Sequence, residues 1–152
     1  MTVPSTLSHA LQQTQEWLKE LRDTAGLTDE TEALSVFRVV LHQLRDRLTV
    51  DEAVQLAAQL PVIFRGIYYE GWVPARVPDK EVRTRQQFLD KTVMELLPRR
   101  LPPEPMVKSV FAILAHHLDP GEISDVISQQ PDGLKELWPL TARTFKERMR
   151  PT

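Results

Sequence analysis

Apolar residues return at helical spacing along most of the chain. The first pattern covers residues 7–21, in which five apolar residues recur at helical spacing among Gln, Glu and Lys: Leu7, Leu11, Trp17, Leu18 and Leu21. This spacing predicts an amphipathic helix with these residues on its core side. Gly26 suits the left-handed position that ends a helix. Asp29 can cap the free amides of a second helix, whose apolar face is Phe37, Val40, Leu41, Leu44 and Leu48.

A capping motif and a proline define the next two helices. Thr49 and Glu52 have the spacing of a capping box, in which each side chain accepts a hydrogen bond from the other's backbone amide. Pro61 fits the start of a fourth helix over residues 62–69, which we expect to end at Gly71. The prolines at 74 and 78 indicate a linker after it.

The second half of the chain shows the same kind of pattern. Asp79 is the expected cap of a fifth helix, and the prolines between 98 and 105 force an extended break before a sixth. Asp119, Pro120 and Glu122 have the spacing that starts a seventh. A further helix is expected within residues 139–150. No segment alternates with period two for long enough to predict a strand, so the sequence predicts an all-α fold.

A shift of 70 residues superposes the two halves. Twelve positions from 40 to 68 then meet residues of matching character from 110 to 138; for example, Leu44 meets Leu114 and Glu52 meets Glu122. This register predicts two tandem four-helix repeats, over about residues 7–73 and 79–138. A unit of about 70 residues buries a marginal core alone, so we expect the repeats to pack as one helical domain over residues 1–152.

Two motifs of the first repeat point to a family. Ala-Gln-Leu-Pro at 58–61 and Tyr-Tyr-Glu-Gly-Trp at 68–72 resemble the bacterial "domain of unknown function 2267" family, and the similarity covers about residues 14–138. The resemblance implies an all-helical, internally repeated cytoplasmic protein with no assigned activity. The second repeat has Trp138-Pro139 in place of the tyrosine motif, so any role of that motif belongs to the first repeat alone.

Composition narrows the chemistry. The chain has 152 residues, no cysteine and a net charge of -2. Disulfides, thiolate metal sites and a cysteine nucleophile are therefore excluded. The charge is uneven, since residues 1–75 carry -4 and residues 76–152 carry +2. This asymmetry suggests, as one alternative, a head-to-tail contact between copies. The N-terminus lacks a basic region and an apolar signal segment, so we expect a cytoplasmic location and no membrane partner.

Catalytic and metal signatures are weak. His116 and His117 are adjacent and point about 100° apart on a helix, whereas a helical metal site needs ligands three or four residues apart. Neither His9 nor His42 belongs to a His-x-x-x-His or Glu-x-x-His pair. The serines lie in no Gly-x-Ser-x-Gly or Ser-x-x-Lys motif. We therefore expect no enzyme activity, metal or cofactor.

The amino-acid composition of residues 65–72, the 65–72 segment, differs most from the average composition of the chain. It contains three aromatic residues and two of the chain's five glycines. Aromatic side chains carry much of the binding energy of interfaces. The leading hypothesis is a non-catalytic interaction module that binds protein, itself included, through Arg65, Tyr68, Tyr69, Glu70 and Trp72. The competing interpretation is that Tyr68 and Trp72 close the end of the core.

Two other functions stay open. Binding of nucleic acid or another phosphate polymer would use basic residues of the second half, which we place at Arg99, Arg100, Arg148 and Arg150. Acidic neighbours such as Glu147 dilute that field. Binding of a small molecule would use a groove between the repeats.

Overall fold

The computed structural model describes residues 2–150. The regular secondary structure of these residues is entirely helical. The ten α-helices found there are α1 (Ser5–Ala25), α2 (Glu30–Asp46), α3 (Val50–Gln59), α4 (Val62–Tyr69), α5 (Arg85–Leu96), α6 (Pro103–His117), α7 (Pro120–Ser128), α8 (Asp132–Lys135), α9 (Leu140–Arg143) and α10 (Phe145–Arg148). A short 3-10 helix, Pro74–Arg76, lies between α4 and α5. The expected C-terminal helix is present as α9 and α10, which meet at Thr144.

Most helix ends lie where local capping chemistry predicts them. Gly26 has φ 68° and follows α1, and its backbone N–H bonds to the carbonyl of Arg22. The Asp29 side chain accepts from the amide of Glu32 at 2.9 Å. The Asp119 side chain accepts from the amide of Glu122 at the same distance. These caps need only neighbouring residues, so the sequence suffices to locate them.

One predicted cap was wrong, and a second was confirmed only in part. The fifth helix starts later than expected, because Thr84 and Gln87 form the reciprocal capping box of α5 while Asp79 caps a turn at the amide of Glu81. At the start of α3, Thr49 accepts from the amide of Glu52 as expected, but the amide of Thr49 donates to the Gln129 side chain at 3.1 Å. Gln129, which is 80 positions away, thus takes the place expected for the Glu52 side chain as the acceptor of the Thr49 amide.

The helices of the two halves interleave. α1 packs against α6, and α2 packs against α5, so the first two helices of each half contact the other half. α3 and α7 also meet each other. Buried apolar side chains from both halves consequently form one continuous cluster. Trp17, Phe37 and Phe64 form its aromatic centre in the first half, and Phe88, Phe111 and Trp138 form it in the second. The repeat boundaries at 7–73 and 79–138 stay a prediction.

One part of the predicted core lies at the surface. Trp17, Leu18 and Leu21 of α1 are buried, but Leu7 is 58% exposed and Leu11 is 54% exposed. Both leucines belong to the apolar face that the spacing placed in the core. The N-terminal turns of α1 therefore present an apolar face that no other part of residues 2–150 covers.

Candidate functional site

Tyr68 is part of the core, which corrects its assignment to the interaction surface. Its side chain is fully buried, and its hydroxyl donates a hydrogen bond to the carbonyl of Ala53 at 2.8 Å. Burial raises the pKa of the phenol well above its ordinary value. Tyr68 thus ties the end of α4 to α3 and cannot contact a partner. The competing interpretation, that this ring closes the core, is the right one for Tyr68.

The other aromatic residues of the 65–72 segment lie at the edge of the core. Tyr69 and Trp72 are half-buried, and their ring centres are 5.4 Å apart. Both rings also pack against the buried cluster. The indole Nε1 of Trp72 is buried and has no hydrogen-bond partner among the described residues. These rings expose only part of their surface.

The two charged residues of the segment, Arg65 and Glu70, bond to neighbouring helices and not to each other. Arg65 donates to the carbonyls of Ala57, Ala58 and Leu60 at 2.8 to 3.1 Å, so it caps the C-terminal end of α3. Glu70 is exposed and pairs with Arg38 at 3.0 Å. Arg65 and Glu70 therefore do not pair with each other.

Arg45 is a structural residue that sequence reasoning missed. It is 4% exposed, and its Nη1 donates to the carbonyls of Tyr68 at 2.7 Å and Glu70 at 2.6 Å. Its Nε bonds to the Asp46 carboxylate at 2.9 Å. Because the acceptors are backbone carbonyls more than 20 residues away, no local motif marks this contact. Arg45 fixes the direction in which the 65–72 segment leaves α4.

His42 holds the same segment. Its Nε2 lies 2.7 Å from the carbonyl of Ile67, so Nε2 carries the proton and donates. Burial is the main cause that lowers the pKa of His42. A cleft of about 480 Å³ opens beside this histidine, between α2 and α5. Among its lining residues, Arg38 and Lys91 already pair with carboxylates.

A pair of buried carboxyl groups joins the two halves where α3 meets α7. Glu52 and Glu122 are each more than nine-tenths buried, and the Oε1 atom of each has no donor among the described residues. The two carboxyl groups lie within reach of a shared proton, so a protonated Glu122 can donate to Glu52. Burial, followed by the bond to Glu52, raises the pKa of Glu122 to about 8. Glutamines bracket the pair symmetrically: Gln129 accepts from the amide of Thr49, and Gln59 accepts from the amide of Asp119 at 2.9 Å. The shift of 70 residues in the sequence pairs Glu52 with Glu122, but it does not indicate that their side chains meet.

The four candidate anion-binding arginines lie in two separate places. Arg99 and Arg100 precede the start of α6, whereas Arg148 ends α10 and lines a cavity with His116 near the end of α6. A rise of 1.5 Å per residue puts the two ends of α6 about 20 Å apart. Arg150 follows α10 and is exposed. The structure thus does not join these arginines into one basic surface.

An apolar groove between α1 and α4 is the surface feature that sequence reasoning missed. We call it the α1–α4 groove; it has a volume of about 640 Å³, and its apolar lining is Leu11, Leu18, Leu34, Ile63 and Ile67. Leu7 lies one helical turn before Leu11 on the same face of α1. The periodicity predicted both leucines on the core side of α1, but only the tertiary structure shows that no other helix within residues 2–150 covers them.

The described residues contain neither a cluster of metal ligands nor a helix that could cross a membrane. Residues 2–150 contain no group of three or more His, Asp or Glu side chains placed to hold one metal ion. None of the helices in that range combines the length and the apolar character needed to cross a bilayer.

One family model matches most of the chain. The model of a family described as "Uncharacterized conserved protein (DUF2267)" matches residues 14–137. No curated protein matches the chain. The matched region covers α2 to α8 and most of α1, and it includes the Arg45 contacts and the Glu52–Glu122 pair.

Proposed function

We propose that this chain, which belongs to the DUF2267 family, is a non-catalytic interaction module whose partner is a second copy of itself. The single observation that carries the proposal is the exposure of Leu7 and Leu11 beside the α1–α4 groove. A contiguous exposed apolar patch on a protein marks an interaction site. The cytoplasmic location expected from the sequence belongs to the same proposal.

The groove has the composition of an interface. Its apolar centre is surrounded by Gln12, Gln15, Glu16, Lys19 and Glu30. Glu30 is already neutralised by Arg22, whose Nη1 lies 2.6 Å from its carboxylate. Protein interfaces typically combine an apolar centre with a polar rim. The rim charges of two copies are mixed in sign, so they do not oppose association.

The proposed dimer uses both sides of the groove. Leu7 and Leu11 are exposed along α1, and Ile63 and Ile67 of α4 line the groove. In a dimer with twofold symmetry, Leu7 and Leu11 of each copy pack against Ile63 and Ile67 of the other, so every contact occurs twice. Burying one leucine side chain contributes about 1.5–3 kcal/mol. Burial of the four leucines of a dimer therefore favours association, and burial of Ile63 and Ile67 in both copies adds to it.

Light scattering coupled to size exclusion tests the proposal. We expect the wild-type protein to elute as a dimer and the Leu7→Gln, Leu11→Gln variant to elute as a monomer with unchanged helix content. Met94→Gln is the matched control, because Met94 is 67% exposed on α5, away from the groove, and its loss should leave the dimer intact. A wild-type monomer at all concentrations, or a groove variant that still dimerises, would refute the proposal.

The same measurement separates the alternatives from the sequence. A head-to-tail contact between the acidic and basic halves joins copies in one direction, so it forms a ring or an open chain whose mass exceeds that of a dimer. A contact through the 65–72 segment would be lost in a Tyr69→Ala, Trp72→Ala variant. We expect that variant to remain dimeric.

A further inference from the structure

A second cavity, independent of the α1–α4 groove, lies beneath the C-terminal helices. Its volume is about 530 Å³, and it is bounded by α6, the start of α7, and α9 with α10. Ala112 and Ala115 of α6 and Ile123 of α7 form its apolar floor, and Phe145 of α10 forms a wall. Ile123 is 1% exposed, so the floor reaches the core. This volume is within the range of small-molecule sites.

Comparison of the two halves explains why this cavity exists. In the first half, the long side chains of His42 and Arg45 lie against the end of α4, and Arg45 bonds to the carbonyl of Tyr68. The residues 70 positions later are Ala112 and Ala115. The carbonyl of Trp138, equivalent to that of Tyr68, instead accepts from Arg143 Nε at 3.1 Å. The carbonyl is thus satisfied from α9, and the space next to α6 stays open.

The rim of the cavity is cationic. Arg148 and His116 line it, and no carboxylate of residues 2–150 does. Arg148 Nη2 donates to the carbonyl of Thr141 at 2.6 Å, which holds the guanidinium at the rim. Its remaining N–H groups donate to none of the described residues. An apolar floor below a guanidinium with free donors is complementary to a molecule with an apolar body and one anionic end.

We propose that this cavity binds a small carboxylate with an apolar chain, of the size of a medium-chain fatty acid. The chain lies on Ala112, Ala115 and Ile123, and the carboxylate accepts hydrogen bonds from Arg148. The apolar contact supplies affinity, and the guanidinium supplies the preference for an anionic end. The site lies on elements other than α1 and α4, so it does not depend on self-association.

Isothermal titration calorimetry with decanoate tests the site. We expect wild-type protein to bind one decanoate per chain and to bind decanol more weakly. Arg148→Gln should weaken decanoate binding by at least about tenfold, the effect of losing a charge-assisted hydrogen bond. Arg150→Gln is the matched control, since it removes an equal charge two residues away, and it should bind as wild type. Absence of decanoate binding to wild type, or equal loss in both variants, would overturn the proposal.

A second pair of variants locates the binding. Ala115→Arg places the first half's residue in the cavity and should abolish binding, and Ala112→Leu, a smaller change, should weaken it. Circular dichroism checks that both fold. Leu11→Gln, in the α1–α4 groove, should leave decanoate binding unchanged. Binding that survives in the folded Ala115 and Ala112 variants but is lost in Leu11→Gln would place the decanoate in the groove and overturn the assignment.

Discussion

The Glu52–Glu122 pair predicts an unusual dependence of stability on pH. With the pKa of Glu122 raised to about 8, the folded protein holds a proton there at neutral pH. In the unfolded chain, a glutamate loses that proton near its ordinary pKa of about 4.3. Unfolding between these two pH values therefore releases a proton. The stabilisation is fully present below about pH 4.3 and is lost as the pH rises towards 8.

The magnitude follows from the burial of the pair. One pKa unit corresponds to about 1.36 kcal/mol. Both carboxyl groups retain slight contact with water, which screens the repulsion between the two carboxylates and reduces the effect on stability. We therefore expect Glu122 to lower the free energy of unfolding by about 2 kcal/mol between pH 5 and pH 8.5. Asp119 and Asp125 add to the negative charge near Glu122 and act in the same direction.

The substitution Glu122→Gln isolates this effect. An amide can donate to the Glu52 carboxylate without a titrating proton, so the variant should match wild type near pH 5 and exceed its stability by about 2 kcal/mol at pH 8.5. Urea unfolding followed by tryptophan fluorescence measures both values. Glu81→Gln, at an exposed position, is the control and should show no such difference. A Glu122→Gln variant that is less stable than wild type at pH 8.5 would refute the reasoning.

Three further predictions concern the contacts at the end of α4. Tyr68→Phe removes the bond to Ala53 and should cost about 1 kcal/mol, seen as a melting temperature roughly 2–4 °C lower. Arg45→Met leaves the carbonyls of Tyr68 and Glu70 without donors and should cost about 3 kcal/mol in urea unfolding. His42 should titrate below the ordinary pKa of histidine in proton NMR, and stability should fall as acid protonates it, because the folded state favours the neutral ring.

Local capping made most of the helix boundaries predictable. Pro61 and Gly71 bracket α4 as the sequence indicated, and the caps at Asp29 and Asp119 need only residues three positions away. The prediction that Asp79 caps α5 failed because its side chain accepts a hydrogen bond within a turn. Thr84 and Gln87 form the complete capping box at the start of α5. Where two caps compete within a few residues, tertiary packing decides between them.

The candidate site was less predictable, because its contacts join distant parts of the chain. Periodicity places Leu11 and Trp17 on one apolar face, but it cannot tell which turns of a helix another element covers. Aromatic composition marked the 65–72 segment, yet the hydroxyl of Tyr68 finds its acceptor 15 residues away in the core. Arg45 has no sequence signal at all, since its partners are backbone carbonyls.

Disulfide trapping tests self-association through the α1–α4 groove most directly. Because the chain has no cysteine, a single introduced cysteine can form a disulfide only with another copy. Leu11→Cys and Ile63→Cys proteins, mixed and exposed to mild oxidant, should form a mixed disulfide dimer faster than either forms with a Val93→Cys protein, whose cysteine lies on α5. Cross-linking of Leu11→Cys with Ile63→Cys that is no faster than with Val93→Cys would contradict the account.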